Sequence, residues 1–280
     1  MSAEEQKNIR GFVEGLAISA ITRPSARDRQ KALGPSDLAD LCDVCVARKI
    51  GALMGVTGGP DRDFSLKAWL GTAVHEKLER DLHDVHEHAE LEIEVDIAVV
   101  PGIGLVKGHI DAFLPRKKTL VDYKTSDIDK IRRYQKTSGP GAYTQGMTTA
   151  ERNELRDLKR ADRAGRLSEE EIGRMVALMA VSDSHSGGVP PEYMGQTMLY
   201  LYGLRASGRE ADYATLVFIP RDSNYVSDIW VVSCEYRPEV AQAVLNRASH
   251  LVKLVREGNI RELSPHPDCF PCVVRPRLKR

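Results

Sequence analysis

The spacing of apolar residues changes along the chain, and these changes predict the secondary structure. Between Ser65 and Val85 apolar residues recur at helical spacing, which predicts a long amphipathic helix. Leu91 to Ile97 alternate apolar and polar residues, a pattern typical of a strand with one buried face. Residues 107–114 and 119–124 predict two more strands, joined by a four-residue turn at 115–118. A helix followed by strands in this order indicates an α/β fold.

The remaining segments continue this mixture of helices and strands. A helix start is predicted at Gly34-Pro35-Ser36, with Ser36 as the N-cap and with Leu38, Leu41, Cys42 and Cys45 following at helical spacing. Further helices are predicted at 149–164, 168–181, 192–206 and 238–257, and further strands at 214–219 and 227–236.

The chain is expected to divide into three parts of unequal length. A single domain of this size is common, so residues 34–272 are predicted to form one elaborated domain. Within it, the polar stretch 127–191 is predicted to be a helical insertion, and 34–50 and 264–272 carry the cysteines. Residues 1–33 are predicted to form a helix and linker, and 273–280 a basic tail.

Composition points to a soluble protein without a membrane span. Of 280 residues, 42% are hydrophobic and 29% charged, as in ordinary globular proteins. No apolar run reaches the roughly 18 residues that a membrane helix needs, and the N-terminus does not read as a signal peptide. These features predict a cytoplasmic protein with reduced thiols.

The net charge is zero, so phosphate contacts would require local basic patches. The candidate patches are 116–118, 130–136, 156–166 and 275–280, and each one taken alone is better explained as solvated surface.

Two aspartates and a lysine meet in the hairpin predicted at 107–124. Pairing Leu114 with Thr119 across the turn puts Asp111 opposite Asp122, with Cβ atoms about 5 Å apart. Lys124 then lies two positions further along the same face, opposite His109. The other face carries residues suited to a core: Ile110, Ala112, Leu114, Val121 and Tyr123.

This arrangement favours metal-dependent phosphodiester hydrolysis. Adjacent ionised carboxylates repel each other, and a bound Mg²⁺ or Mn²⁺, which prefers oxygen ligands, removes that penalty. Such an ion binds a phosphate oxygen and lowers the pKa of a bound water. Lys124 would orient the attacking water or stabilise the developing charge. A solvated ladder of ion pairs explains an isolated Asp…Asp-x-Lys pattern equally well.

Four of the five cysteines form two close pairs, Cys42 with Cys45 and Cys269 with Cys272. Two Cys-x-x-Cys pairs indicate one four-thiolate metal site in a reducing compartment, which would staple the two ends of the domain together. Zn²⁺ and a [4Fe–4S] cluster both suit four thiolates, and disulfides are the weaker alternative. Cys234, in an apolar run, is predicted to be a buried strand thiol.

An ordered series of motifs adds to these observations. It consists of Gly71 to His75, Gly108-His109-Ile110-Asp111, Val121-Asp122-Tyr123-Lys124-Thr125, and Gly195-Gln196 followed by Tyr200. The series resembles the RecB-like branch of the PD-(D/E)XK nuclease superfamily. That branch includes the AddB nuclease domain and the iron–sulfur exonucleases associated with CRISPR adaptation. The segment Pro35 to Leu38, followed by Cys45 to Lys49, is similar to the N-terminal segment of that branch. The resemblance spans residues 34–272.

The resemblance implies a restriction-endonuclease-like fold, with a central mixed sheet flanked by helices. It implies that Mg²⁺ or Mn²⁺ is bound by His75, Asp111, Asp122 and the Tyr123 carbonyl, and that Lys124 is the catalytic lysine. Gln196 and Tyr200 would hold the DNA strand or order the site. From the residues alone, His75 is better explained as an ordinary polar helix residue, and helix packing is the alternative role of Gln196 and Tyr200. Glu92 or Glu94 is a further candidate carboxylate.

The resemblance also favours a [4Fe–4S] cluster over Zn²⁺ at the four cysteines. The sequence departs from the usual arrangement, because relatives carry one cysteine before the nuclease core and three after it, whereas this chain carries two and two. Cys45 matches the usual position, and Cys42 would replace a C-terminal ligand.

The sequence therefore predicts a DNA exonuclease, acting on single-stranded ends in recombination, repair or DNA processing. The alternative is a DNA-binding or processing subunit that needs a helicase or integrase partner. No Gly-x4-Gly-Lys-Ser/Thr motif is present, so ATP-driven unwinding would come from another chain. A small-molecule metallohydrolase is the third reading, and it leaves Gln196, Tyr200 and the cysteines unexplained. The expected partners are DNA, recombination or CRISPR-adaptation proteins, and further copies of the chain, since ring-forming relatives exist.

Overall fold

A computed structural model describes most of the chain in atomic detail. The described residues are 12–16, 18–19, 21–22, 32–57, 65–85, 88–137, 148–183, 189–267, 269 and 271–272. The predicted N-terminal helix and linker at 1–33 lie largely outside them, and the basic tail at 273–280 lies wholly outside them.

The helices and strands follow the order that the apolar pattern predicts, apart from differences at residues 35–53 and 128–137. The helices are α1 (Pro35–Leu38), α2 (Asp43–Leu53), α3 (Leu66–Val85), α4 (Ile128–Thr137), α5 (Thr149–Arg163), α6 (Glu169–Asp183), α7 (Pro191–Ala206) and α8 (Pro238–Arg256). The strands are β1 (Glu90–Val100), β2 (Gly104–Leu114), β3 (Thr119–Ser126), β4 (Tyr213–Pro220) and β5 (Trp230–Glu235). Short 3₁₀ turns lie at Pro115–Lys117, Val226–Asp228 and Asn259–Glu262.

The strands form one mixed sheet in the order β1-β2-β3-β4-β5. Only the central pair, β3 with β4, is parallel, and the other neighbouring pairs are antiparallel. A parallel pair needs a long crossover, and the chain from α4 to α7 supplies it. Helix α3 contacts β3 and β1, while α7 contacts β1, β4 and α8. The α/β fold with a central mixed sheet flanked by helices is confirmed.

The largest core lies among the sheet, α2, α7 and α8. Its fully buried side chains include Ile50, Ile110, Leu120, Leu199 and Leu201. Burial of each such side chain contributes about 1.5–3 kcal/mol, so α7 is held firmly against the strands. This packing matters for function because α7 carries Gln196 and Tyr200.

A second, smaller core is aromatic and lies at β4 and β5. Phe218 and Trp230 stack with ring centroids 4.9 Å apart, and Ile131 of α4 packs beside them. Tyr134 and Tyr193 complete the group from α4 and α7. This aromatic core therefore anchors α4, which follows β3, and the first turn of α7.

The helix start at residue 34 differs from the prediction. Gly34 is the N-cap, and its N–H donates to Asp37 Oδ2 at 3.0 Å, so Ser36 is not the N-cap. The single helix predicted through Cys45 is also wrong, because α1 ends at Leu38 and α2 begins after Cys42. The intervening turn is held by the Cys42 N–H, which donates to Asp40 Oδ1 at 2.9 Å.

Two further boundaries differ from the prediction. Helix α4 was not predicted, because its sequence is mostly polar and only a narrow face, with Ile131 and Tyr134, contacts the aromatic core. Strand β5 begins at Trp230, since Val226 to Asp228 form a 3₁₀ turn in place of the predicted strand start. The helices predicted at 149–164 and 168–181 are confirmed as α5 and α6.

Within the described part of the chain, every helix is too short or too polar to span a lipid bilayer.

Candidate functional site

The predicted register of the β2–β3 hairpin is confirmed next to the turn. Leu114 pairs with Thr119 and Ala112 pairs with Val121. The pairing ends at Val121, so the expected direct oppositions of Asp111 with Asp122 and of His109 with Lys124 are not among the pairs of β2 and β3. On its other edge, β2 pairs His109 with Glu94 of β1. Strand β3 continues beside β4 on its other side. The two strands β2 and β3 therefore separate at the position of the aspartates.

The Asp111 side chain takes over where the backbone pairing ends. Its Oδ2 atom accepts a hydrogen bond from the Tyr123 N–H at 2.7 Å. In a strand the N–H and C=O of one residue point to the same side, so the Tyr123 carbonyl also faces the Asp111 side. This orientation suits the carbonyl role that the resemblance implies, in the gap between the separated strands.

Asp122 and Lys124 form a buried pair on β3. Asp122 is 2% exposed, and its Oδ2 atom lies 2.7 Å from Lys124 Nζ. Burial raises the pKa of Asp122, and the charge of Asp111 adds to this effect. Burial is the largest single influence and disfavours the Lys124 ammonium, yet the charge and hydrogen bond of Asp122, together with the charge of Asp111, outweigh it and raise the pKa of Lys124. The ammonium is therefore kept protonated inside the protein.

His75 reaches the same point from helix α3. Its Nδ1 atom lies 3.1 Å from Asp111 Oδ1, and its ring contacts the Tyr123 ring edge-on. Burial is the largest single influence and opposes the charged imidazole, but the hydrogen bond to Asp111 and the charges of Asp111 and Asp122 together outweigh it and raise the pKa of His75. Gly71, one turn earlier, permits this approach, because a Cβ there would lie 3.1 Å from Thr125 Oγ1.

Gln196 and Tyr200 continue the polar chain on α7. Lys124 Nζ donates to Gln196 Oε1 at 3.3 Å, and Gln196 Nε2 donates to the Tyr200 hydroxyl at 3.1 Å. Both α7 side chains are buried, with 6% exposure each. The amide of Gln196 therefore fixes the position of the lysine amine, and Tyr200 fixes the amide.

These residues line one cavity of about 510 Å³. His75, Asp111, Asp122, Lys124, Gln196 and Tyr200 all contribute to its wall. The structure therefore brings together the predicted polar site residues from α3, β2, β3 and α7.

The cavity also contains residues that the sequence interpretation did not assign. Tyr193 lines it one turn before Gln196, and Gly34 to Asp37 form another part of the wall. Gly108 allows Tyr200 to enter, because a Cβ there would lie 2.4 Å from Tyr200 Cε1. The signals were available: Tyr193, Gln196 and Tyr200 follow helical spacing, and a glycine inside a strand often marks a close approach.

The other two candidate carboxylates behave differently from each other. Glu94 lies 2.6 Å from Lys107 Nζ, and this hydrogen bond lowers the pKa of Glu94. Glu92 has a positive φ of 47° in the middle of β1. It lies between the pairs Leu91–Ala112 and Ile93–Ile110, level with Asp111. A left-handed non-glycine residue inside a strand is strained, and this strain occurs beside the separation of β2 and β3.

The donor set suits a hard divalent cation. Two carboxylates, an imidazole and a backbone carbonyl are ligands that Mg²⁺ and Mn²⁺ accept, and the buried Asp122 Oδ2 has no directed hydrogen bond. His75, Asp111 and Asp122 are not, however, among the described groups whose ligand atoms all lie within 4.8 Å of one another. Asp122 is turned towards Lys124 instead. A cation here would require the Asp122 carboxylate to turn towards Asp111.

The four paired cysteines meet as the sequence predicts. The Sγ atoms of Cys42, Cys45, Cys269 and Cys272 all lie within 4.8 Å of one another, a group that could hold a metal ion. Cys45 Sγ lies 3.4 Å from both Cys269 Sγ and Cys272 Sγ, and Cys42 Sγ lies 3.9 Å from Cys272 Sγ. All five cysteines are free thiols, so the disulfide alternative is not supported.

Thiol chemistry in this cluster favours a cation. Burial raises the pKa of Cys45, and the three neighbouring thiols raise it further. Burial also raises the pKa of Cys269, to about 11. Four thiolates this close repel one another, and a metal ion stabilises them because it binds the deprotonated form. Cys234 lies apart from the cluster, and burial raises its pKa to about 11, as for an inert strand thiol.

Comparisons with known proteins give matches to solved structures only. No protein-family model matches the sequence, and no curated protein matches it. An alkaline exonuclease from Laribacter hongkongensis matches with a TM-score of 0.48 and 13% identity, over 84% of this chain and 92% of that one. The same exonuclease in complex with dAMP matches with a TM-score of 0.46 and 13% identity, over 83% and 91% of the two chains. A phage-related exonuclease from Haemophilus somnus 129PT matches with a TM-score of 0.44 and 12% identity, over 83% and 96%. Similarities of this size assign no activity to the chain.

Proposed function

We propose that this protein is a DNA nuclease that requires Mg²⁺ or Mn²⁺ and degrades single-stranded DNA from its ends. One observation carries the proposal: Asp111, Asp122, Lys124 and His75 converge in one cavity, where two strands separate. A solvated ladder of ion pairs would not bury Asp122 to 2% exposure or connect Lys124 to a buried amide. The arrangement therefore favours chemistry over a surface ion-pair network.

Each residue has a distinct task in this proposal. Asp111, Asp122, His75 and the Tyr123 carbonyl would hold the cation, which when bound supplies charge neutralisation at the phosphate and activation of water. The Lys124 ammonium, kept protonated by Asp122, would contact the scissile phosphate or orient the attacking water. Gln196 keeps the amine at the cavity through its 3.3 Å hydrogen bond. Tyr200 in turn orients the Gln196 amide.

The finer assignment is to the RecB-like branch of the PD-(D/E)XK superfamily, with roles in recombination, repair or DNA processing. Its support is the motif order His75, Asp111, Asp122-x-Lys124 and Gln196-x-x-x-Tyr200, together with the convergence of these motifs on one cavity. Partners from recombination or CRISPR adaptation, and self-association, remain predictions from the resemblance.

The four-cysteine site is proposed to bind a metal that joins the ends of the domain. Thiolates around a single tetrahedral zinc ion lie about 3.8 Å apart, given zinc–sulfur bonds of about 2.3 Å. Three of the six sulfur separations are 3.4–3.9 Å and all six are within 4.8 Å, so the cluster is compact enough for a single Zn²⁺. The resemblance supports a [4Fe–4S] cluster, in which each thiolate binds a different iron. Anaerobic purification followed by absorption spectroscopy and elemental analysis separates the two: iron with inorganic sulfide identifies the cluster, and one zinc per chain identifies the single ion.

The activity test uses labelled DNA of different topologies. Linear single-stranded and double-stranded oligonucleotides, labelled at either end, and a circular single strand are incubated with Mg²⁺ or Mn²⁺. We expect linear single strands to be degraded and the circle to survive, and the label position gives the polarity. Asp122→Asn serves as the inactive variant and Asp157→Asn, at an exposed position on α5, as the matched control. Equal degradation by wild type and Asp122→Asn would refute the proposal, as would the absence of any cleavage by wild type.

A further inference from the structure

Tyr193 connects the catalytic lysine to a second amine. Lys124 Nζ lies 5.3 Å from the centroid of the Tyr193 ring, and Lys130 Nζ lies 5.9 Å from the same centroid. Lys130 Nζ is also 5.3 Å from the centroid of the Tyr134 ring. Ammonium groups within about 6 Å of an aromatic centroid are attracted to the ring. Two cations that would otherwise repel each other are therefore held around one side chain.

The position of the Tyr193 ring is well defined. It meets Tyr134 and Phe218 edge-on, at centroid separations of 6.2 and 5.5 Å, inside the aromatic core that also contains Trp230. Edge-on aromatic pairs stabilise a ring beyond the effect of its burial. Tyr193 lines the cavity, so the ring is a rigid border between the catalytic strand and the first turn of α4.

We propose that Lys130, held by Tyr193 and Tyr134, binds the phosphate next to the scissile one on the substrate strand. This inference rests on the proposed nuclease function, and it gives the strand a direction, from Lys124 across Tyr193 to α4. Two fixed amines around one ring suit an anion with repeated charges, as in a polynucleotide backbone. A substrate with a single phosphodiester would contact Lys124 and not Lys130.

The first arm of the test measures binding without chemistry. All variants carry Asp122→Asn, and a fluorescein-labelled single-stranded oligonucleotide is titrated at several salt concentrations. We expect Lys130→Gln to weaken binding about five- to tenfold and to reduce the salt slope by about 0.7, the value for one phosphate contact on a single strand. Lys130→Arg should retain most of the affinity, because it keeps the charge. Lys253→Gln, exposed on α8, is the control and should bind like the parent.

The second arm locates the phosphate. Single methylphosphonate linkages, which remove one backbone charge, are introduced at successive positions from the end of the oligonucleotide. At one position, the neutral linkage should weaken binding to the protein that keeps Lys130. The same linkage should not change the affinity of the Lys130→Gln variant. The inference would be overturned if Lys130→Gln left the affinity and the salt slope unchanged. It would also be overturned if, at every position, the loss of affinity from the neutral linkage simply added to the loss from Lys130→Gln.

The third arm uses turnover. In the otherwise wild-type enzyme, Lys130→Gln should raise KM for the oligonucleotide several-fold and leave hydrolysis of thymidine 5′-monophosphate p-nitrophenyl ester, a single diester, unchanged. Tyr193→Leu should weaken oligonucleotide binding, whereas Tyr193→Phe, which keeps the ring, should not. Loss of turnover on the single diester in Lys130→Gln would contradict a role confined to the neighbouring phosphate. Absence of all cleavage by wild type would refute the nuclease function itself, while the two binding arms would still report on Lys130.

Discussion

The two candidate metal sites of this protein are built in opposite ways. The cavity site draws Asp111, Asp122 and Lys124 from one hairpin, within 14 residues of sequence, and offers mainly oxygen ligands. The cysteine site joins positions 224–230 residues apart and offers sulfur ligands. The core of the first site is therefore encoded by neighbouring strands. The second site exists only when the whole domain has folded, so a metal bound there would contribute to the stability of the complete domain.

The sharpest way to test this contrast is to remove the buried charge pair. Asp122→Asn and Lys124→Gln should each lower the nuclease rate by about 10³-fold or more, because each removes a group from the reaction centre. Each single change also leaves a buried charge without its partner, which costs about 3–5 kcal/mol. Rates are measured well below the midpoint of thermal unfolding for each variant.

The double variant separates chemistry from folding. Asp122→Asn with Lys124→Gln removes both charges, so it should recover stability relative to either single variant and remain inactive. Recovery of nuclease activity in the double variant would mean that the pair is structural.

Loss of the cysteine metal should act on stability before activity. Cys45→Ser should abolish stoichiometric metal binding and destabilise the fold by about 4 kcal/mol, by analogy with other long-range links. That corresponds to a fall of about 8–16 °C in the unfolding midpoint. Cys234→Ala, outside the cluster, should keep the metal and shift the midpoint only slightly. The contrast between the two sites fails if Cys45→Ser, assayed at a temperature where it is folded, has no nuclease activity.

His75 tests whether the cavity site extends beyond the hairpin. His75→Ala should raise the Mn²⁺ concentration for half-maximal activity by about tenfold or more, because the cation loses one ligand. A tenfold change corresponds to a loss of about 1.4 kcal/mol in binding free energy. His83→Ala, two turns further along α3, is the comparison and should leave the Mn²⁺ requirement unchanged. If both variants have the same Mn²⁺ requirement, His75 is not a ligand of the cation and is an ordinary polar residue of α3.

The smallest expected effect concerns the support of Tyr200. Gly108→Ala would bring a Cβ to 2.4 Å from Tyr200 Cε1 and 2.9 Å from Pro35 Cγ. Such overpacking costs about 1–3 kcal/mol, and it should also lower the nuclease rate by displacing the Tyr200–Gln196–Lys124 chain. Gly173→Ala on α6, where nothing lies within 4 Å of the added Cβ, should instead stabilise by about 1 kcal/mol. Normal activity in Gly108→Ala would show that Tyr200 adjusts without cost.

Local features were predictable from the sequence because local physics determines them. The turn at 115–118 fixes the pairing of Leu114 with Thr119, and the alternation of apolar residues fixes which side chains share a face. That register ends at Val121, so the direct opposition of Asp111 and Asp122 that it predicted is not among the strand pairs, although both aspartates and Lys124 line the same cavity. The grouping of the four cysteines was also predictable, because two Cys-x-x-Cys pairs are typical of a single four-thiolate metal site.

Features that depend on distant elements were not predictable in this way. Strand β3 leaves β2 after Val121 and continues beside β4, which is about 90 residues away in sequence, so no local pattern encodes the separation. Helix α4 was missed because few of its residues are apolar. Tyr193 was missed because its role depends on where the aromatic core puts its ring, although its spacing from Gln196 was visible.

The hydrogen bond from the Tyr123 N–H to Asp111 Oδ2 has a practical consequence for mutagenesis. Asp111 is at once a candidate ligand and the acceptor that ends a ladder of backbone pairing. Replacing it with alanine leaves an amide without its acceptor, which costs about 1–3 kcal/mol. An inactive Asp111→Ala protein would therefore be difficult to interpret, because it lacks a candidate metal ligand and also leaves the Tyr123 N–H without its acceptor. For trapping a bound polynucleotide in an intact cleft, Asp111→Asn is the better choice, because the asparagine side chain keeps a carbonyl oxygen that can accept the Tyr123 N–H.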